Sequence, residues 1–331
     1  MKLYNLITEY LESLKYSIKK RTFLNYCQTA TKHIKPNIGK EDISALDGSI
    51  LNNFFISQNN PQGKIAPSQN TLRLCKTIIN RALAYAFEKK YISNFCKITI
   101  CFKNTNPAKI ESFLQSEANR IEKYILENKK YYNFGVVLCL HTGIRIGELL
   151  ALKWENVDLK NKIININSTI CDIAFEHKML RIEDKPKSVA SIREIPITSQ
   201  TATILKELKK HQKGNSPFVV SRPNGKQIFV RAYQDSFQRL LKKLCIRPRG
   251  FHALRHTFAT NCYKLGMDIK TLSELLGHSS PAITLKIYVH TDIEHKRKAL
   301  NMVAKKTRQT CARPWKKHTS FFLLDDYSLH I

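Results

Sequence analysis

Residues 251–288 read FHALRHTFATNCYKLGMDIKTLSELLGHSSPAITLKIY. Three short helices follow from the punctuation of this stretch. Asp268 stands where an N-cap belongs, because its side chain can accept from the unpaired amides of the first turn. Gly277 suits the left-handed position that closes the same helix. Ser280 and Pro281 supply a cap and a first-turn proline for the next, which runs through Tyr288. Thr291-x-x-Glu294 then has the spacing of a capping box opening a further helix. Short joints between helices hold polar side chains at fixed corners, and here those side chains are His252, Arg255, His278 and Tyr288.

Working outward, an apolar helix is expected from Tyr132 to about His141, followed by a turn at Gly143 and the helix IRIGELLALKW. Isoleucine-rich runs come next: KIININS, KMLRI and REIPIT read as strands, and helices return over Ser199–His211 and Ala232–Leu244. Nearer the start, Leu3, Leu6, Ile7, Tyr10, Leu11 and Leu14 recur at helical spacing. Further helices are expected over Lys20–Ile34, Asp47–Gln58 and from Ser68 onward, with the loop NNPQGKIAPSQ before the last. The polar stretch KNTNPAKIES, with Pro107, reads as a linker. The expected fold is therefore mainly α with a small antiparallel β-sheet (α+β): a helical domain over 1–103, a linker over 104–111, a second domain over 112–304 and a tail over 305–331.

The chain of 331 residues carries 55 basic and 26 acidic side chains, a formal net charge of +29. Residues 1–104 hold 16 bases and 6 acids, and the remainder 39 and 20, so the excess is spread along the chain rather than confined to a tail. Such surfaces displace counterions from phosphate backbones, which points to nucleic acid as partner. Hydrophobic content of 43% is that of a globular protein. No run of 18 apolar residues suggests a membrane span, and Glu9 and Glu12 interrupt what a leader would keep apolar, so a soluble, cytoplasmic protein is expected. Nine cysteines without a C-x-x-C pair signal neither a disulfide framework nor a zinc knuckle.

His252 and His256 have the i, i+4 spacing of a zinc pair, but Ala-Leu-Arg lies between them and the glutamate of a metalloprotease motif is missing. A cation at Arg255 opposes a metal, so no metal and no cofactor are expected, and His256 reads as a packing residue. Arg255 and Arg145 fit an anion better, since two guanidinium forks match phosphate oxygens. There is neither a phosphate-binding P-loop nor a carboxylate cluster for magnesium. A phosphoryl transferase of this kind needs its own cations and its own nucleophile. Tyr288 is the candidate nucleophile; with a reference pKa of about 10, it needs cations nearby to ionise.

At this point the sequence resembles the tyrosine recombinases of the phage integrase family. The resemblance rests on HTGIRIGELLALKW (141–154), PKSVASIREIPI (186–197), FHALRHTFAT (251–260) and LGHSSPAITLKIYVH (276–290), in the family's order. It implies a helical core-binding (SAM-like) domain followed by a tyrosine-recombinase catalytic domain. By the same resemblance Arg145 and Arg255 hold the non-bridging oxygens of a scissile phosphate, and His252 and His278 complete the pocket. Lys187 protonates the leaving 5′ oxygen, Tyr288 attacks phosphorus to give a 3′-phosphotyrosyl link, and Glu148 orients the pocket. Double-stranded DNA is the implied partner, with a homodimer per crossover site and a tetramer in the synapse, and the implied role is integration or excision of a mobile element.

The residues alone leave alternatives open. Lys185 lies two positions from Lys187 on the same turn, and spacing does not choose between them. His278 also suits a helix C-terminus, and Glu148 a plain helix face. Arg73 and Arg81, on the fourth helix, are candidate DNA contacts, although a solvated helix face is the stronger reading of each from the residues alone. The arm-binding domain that many integrases carry at their N-terminus is not expected before residue 3, so the reading is either a two-domain recombinase or a gene that lacks its front. The apolar cluster Phe321–Leu324 suggests a tail that docks on a neighbouring protomer or is disordered. A non-catalytic DNA-binding relative and a type IB topoisomerase-like enzyme are the competing functions.

Overall fold

The computed structural model describes residues 1–59, 66–95, 98, 100, 102, 111–129, 131–175, 178–184, 191–212, 216–288, 297, 300–301 and 303–304, without the side chains of 286–288. Lys185, Lys187, Thr291, Glu294, the expected tail and most of the expected linker lie outside them.

Four helices open the chain: α1 (Leu3–Leu14), α2 (Lys20–Thr29), α3 (Gly48–Asn59) and α4 (Gln69–Glu88). The helix expected over Lys20–Ile34 is present but changes pitch, since Ala30–Ile34 forms a wider π-turn. Ser68 caps α4, its Oγ accepting from the Thr71 amide at 3.1 Å. The apolar stripes meet in one core: Leu3, Leu6, Ile7 and Leu11 of α1 against Leu72, Cys75, Ile78, Ile79 and Ala82 of α4, with Phe54 and Phe55 of α3. Each such aliphatic side chain contributes about 1.5–3 kcal/mol on full burial, which is why helices of ordinary propensity hold here.

A second core gathers α5 (Gln115–Glu127), α6 (Phe134–Thr142), α7 (Ile146–Ala151), α8 (Ser199–His211), α9 (Val230–Lys243) and α10 (His252–Lys264). Helix α6 is apolar nearly all round and is buried accordingly. Strands β1 (Val157–Asp158), β2 (Ile163–Ile166) and β5 (Arg193–Pro196) form an antiparallel sheet in the order β1-β2-β5, with Ile164 opposite Ile195. Helices α11 (Ile269–Leu276) and α12 (Pro281–Tyr288) follow. The caps read from the sequence are present: Asp268 accepts from the Thr271 amide at 2.9 Å, and Gly277 adopts φ +61°. No described helix is long and apolar enough to cross a membrane.

Between β2 and β5 the chain makes a separate hairpin of β3 (Thr169–Phe175) and β4 (Lys178–Asp184). Three strand runs were expected; β1 and β3 are additional, the latter hidden because Asp172 breaks the apolar run TICDIAF. The hairpin has two faces, as alternation requires. Ile182, Cys171, Ile173, Phe175 and Leu180 pack into the first core. On the opposite face Arg181 pairs with Asp172 at 3.0 Å and donates to the Ile228 carbonyl, while Asp172 accepts from the Val230 amide at the start of α9.

Candidate active site

Helix α6 ends at Gly143, whose φ of +66° only glycine adopts without strain. The chain turns there and places Arg145 at the N-cap of α7. Glu148, one turn on, reaches back: its Oε2 accepts from the Arg145 amide at 2.9 Å, and its Oε1 from the Arg145 guanidinium at 2.7 Å. Glu148 is buried, 3% exposed, and is more than a surface acid of its helix. Burial alone would raise its carboxyl, but Arg193 and Arg145 outweigh it and hold the carboxyl below its ordinary value.

The far wall is the C-terminus of α11. The last carbonyls of a helix lack intrahelical partners and carry its negative dipole end. Here consecutive carbonyls receive guanidinium donors from three separate elements: Arg193 on Leu275 at 2.6 Å, Arg255 on Leu276 at 2.6 Å and Arg145 on Gly277 at 3.0 Å. Arg255, 2% exposed on α10, also donates to the Gly143 carbonyl at 2.8 Å, joining the turn before Arg145 to the end of α11. Segments more than a hundred residues apart are thus fixed around one point by charged hydrogen bonds.

His278 follows directly. Its amide donates to the Ser273 carbonyl at 3.1 Å, so it does close α11, and its ring Nδ1 lies 2.8 Å from the hydroxyl of the buried Thr284 on α12. Nε2 is the remaining ring nitrogen. His252 opens α10 and meets His256 edge-on at 4.9 Å between ring centroids. Desolvation, with the charges of Arg255 and Arg145 adding to it, pushes His278 down to about 4, and desolvation with His256, Arg255 and Arg145 does the same to His252. The site therefore joins three guanidiniums, one carboxylate and two neutral imidazoles, which makes a cationic pocket suited to an anion.

Of the residues expected here, Arg145, Glu148, His252, Arg255 and His278 come together. Tyr288 is the last residue of α12, and its side chain is outside the described atoms. Arg73 and Arg81 lie on α4, in the other core; Arg73 donates to Asn70 at 3.0 Å, and the exposed Arg81 bonds the Tyr10 hydroxyl. His256 is buried, as a packing residue should be. No cluster of three or more metal-ligating side chains occurs among the described residues. Sequence reasoning missed Arg193: it stood in the quoted run PKSVASIREIPI without a role, and its charge on an isoleucine-flanked strand was the available signal.

Residues 111–295, more than half of the chain, match the phage integrase family. A XerC-like tyrosine recombinase of Caldanaerobacter subterraneus subsp. tengcongensis is 29% identical over 317 residues, covering 87% of this chain and 79% of the relative. An integrase of a Staphylococcus phage is 28% identical over 314 residues, 86% of this chain and 87% of its own. In fold, the chain is similar to the Tn1549 transposon integrase solved with transposon right-end DNA, with a TM-score of 0.74 at 21% identity over 92% of this chain and all of that one. A pocket of paired arginines and histidines at the positions of the family's motifs accords with these likenesses, and the chain belongs to the phage integrase family of tyrosine recombinases, enzymes that cleave and rejoin DNA.

Proposed function

We propose that this chain is a site-specific recombinase that exchanges strands of duplex DNA through a 3′-phosphotyrosyl link to Tyr288, and that it integrates or excises a mobile element. The observation that carries the reading is the convergence of Arg145 and Arg255 on adjacent carbonyls at the end of α11, beside His278. Two guanidiniums held this way oppose the charge that grows on the non-bridging oxygens as phosphorus becomes five-coordinate.

In the proposed step the Tyr288 oxygen bonds to phosphorus and the bond to the 5′ oxygen breaks. The phenol proton leaves to a pocket imidazole, His252 or His278, both neutral in the free protein, the charged form being favoured once a phosphate lies in the pocket. The departing 5′ oxygen takes a proton from Lys187. One phosphodiester is exchanged for another, so the bond energy is retained and a 5′-hydroxyl from a second strand reverses the step without ATP. The chain's excess charge of +29 supplies the phosphate contacts for a clamp on duplex DNA, closed as a dimer at each site and a tetramer in the synapse.

The test is covalent trapping in EDTA on nicked duplexes drawn from DNA flanking the gene, with wild type and Tyr288→Phe in parallel. An SDS-resistant adduct formed by the wild type alone, on particular sequences, is expected. Adducts indifferent to sequence would indicate a type IB topoisomerase-like enzyme. Salt-sensitive binding without any adduct would indicate a non-catalytic DNA-binding protein.

A further inference from the structure

The side chain of Arg193 is 6% exposed, and every arm of its guanidinium is engaged. Nη2 meets Glu148 Oε2 at 2.9 Å and Nη1 meets Glu148 Oε1 at 3.2 Å, a fork on the carboxylate that also holds Arg145. Nε donates to the Leu275 carbonyl at 2.6 Å, one residue before the carbonyl that Arg255 takes. Nη1 also reaches the Ser191 carbonyl at 3.2 Å, so β5 is tied at its own root. The side chain thus fills the space between α7, β5 and the C-terminus of α11.

We infer that Arg193 is a positioning residue for phosphoryl transfer, setting Arg145 against the end of α11 through the shared carboxylate of Glu148. This rests on the function proposed above. The physical argument is that Glu148 alone does not define where Arg145 points. A carboxylate on a short helix turns about its own χ angles, and the amide and guanidinium of Arg145 that Glu148 accepts from both belong to the residue whose direction is in question. A second guanidinium, planar and buried, occupies the other face of the carboxylate and fixes its plane. Arg145 then meets a carboxylate of one orientation, and its Nη2 falls on the Gly277 carbonyl. Because Arg193 also holds Leu275, a shift of α11 and a shift of Glu148 are the same event. His278 is three residues beyond Leu275, so the imidazole moves with them. A lysine at 193 would keep the charge but not the fork.

The experiment measures single-turnover adduct formation on a nicked duplex, with duplex affinity and thermal midpoint recorded for each variant. Arg193→Met, Arg193→Lys and Arg145→Lys are compared singly, and Arg193→Met is then placed in the Arg145→Lys background. Displacement of a clamping group by an ångström costs on the order of 100-fold in rate. A loss of about that size is expected in both Arg193 variants, with affinity held within about threefold in protein that remains folded at the assay temperature. In the Arg145→Lys background the further loss should be small, because residues acting as one unit are not additive.

If Arg193→Met slows the reaction by the same factor in both backgrounds, it acts independently of Arg145 and the inference is wrong. Full recovery in Arg193→Lys, or a rate loss that only follows the unfolded fraction, overturns it as well. If wild-type protein forms no adduct while binding duplex, the proposed function itself fails, and the inference with it.

Discussion

Arg145 and Arg255 hold adjacent carbonyls, those of Gly277 and Leu276, although 110 residues of chain separate them. A helix C-terminus is an unusual thing to place between two groups proposed to hold phosphate, since it offers oxygens rather than amides. Its use here is to set direction. Each guanidinium is fixed to rigid backbone, Arg145 by one donor and Arg255 by two, so its plane is set before any anion arrives, and little reorganisation is left for the reaction.

Glu148 is the only carboxylate that the described pocket places between Arg145 and Arg193. Changing Glu148→Gln leaves two guanidiniums close together without a counter-charge. Breaking a buried pair in this way costs about 3–5 kcal/mol, to be read from urea denaturation. The carboxyl lies below its ordinary value in the folded state, so its contribution is complete above the unfolded value of 4.5 and is lost as pH falls through the lower folded one. The acid limb of stability should therefore flatten in the variant. An unchanged limb would show that Glu148 is not the group that titrates there.

The two histidines titrate in the opposite chemical sense with the same sign. Both are bases held down to about 4 from 6.5, so the unfolded chain binds more protons between those values. Stability from these residues is complete above 6.5 and falls as pH drops toward 4. Proton resonances of His252 and His278 should stay at neutral-form positions through pH 6 in the free protein, and shift toward the charged form when duplex brings a phosphate into the pocket. Ordinary midpoints near 6.5 in the free protein would refute this.

Gly143→Ala tests the turn that presents Arg145. A methyl group there meets a φ of +66°, runs into the Phe258 ring and comes within 3.0 Å of Leu276 Cδ2. Left-handed strain of about 1–2 kcal/mol adds to the clash, and a drop of about 3 kcal/mol in unfolding free energy is expected. Adduct formation should fall further than stability explains, because the Gly143 carbonyl is also an anchor of Arg255.

Asp172→Ala removes the Arg181 pair and the acceptor for the first amide of α9. Asp172 is 3% exposed at its side chain, and about 3 kcal/mol is the expected loss. Hydrogen exchange should quicken at the Val230 amide and across β3 and β4, and hardly at all in α1.

Much of this arrangement was legible in the chain. Ser68, Asp268 and Gly277 act within a few residues of themselves, so their local pattern was sufficient, and Ser199–His211 came out to the residue. The family motifs led to Arg145, His252, Arg255 and His278. Arg193 was not legible as a hub, because its partners Glu148 and Leu275 lie 45 and 82 residues away and nothing local announces them. Strand β3 was hidden for a related reason: Asp172 looks like an interruption until Arg181 is placed opposite it.

The β3–β4 hairpin has a thermal consequence. Its Arg181 face belongs to one core, and its Ile173, Leu180 and Ile182 face to the other. If the proposed clamp opens by parting the two cores, admitting DNA wets that aliphatic face, and wetting aliphatic surface raises heat capacity. The opening step should therefore have an enthalpy that climbs with temperature. Its rate should follow a curved Eyring plot where a simple hinge would give a straight one, and the protein should load duplex disproportionately faster as it warms.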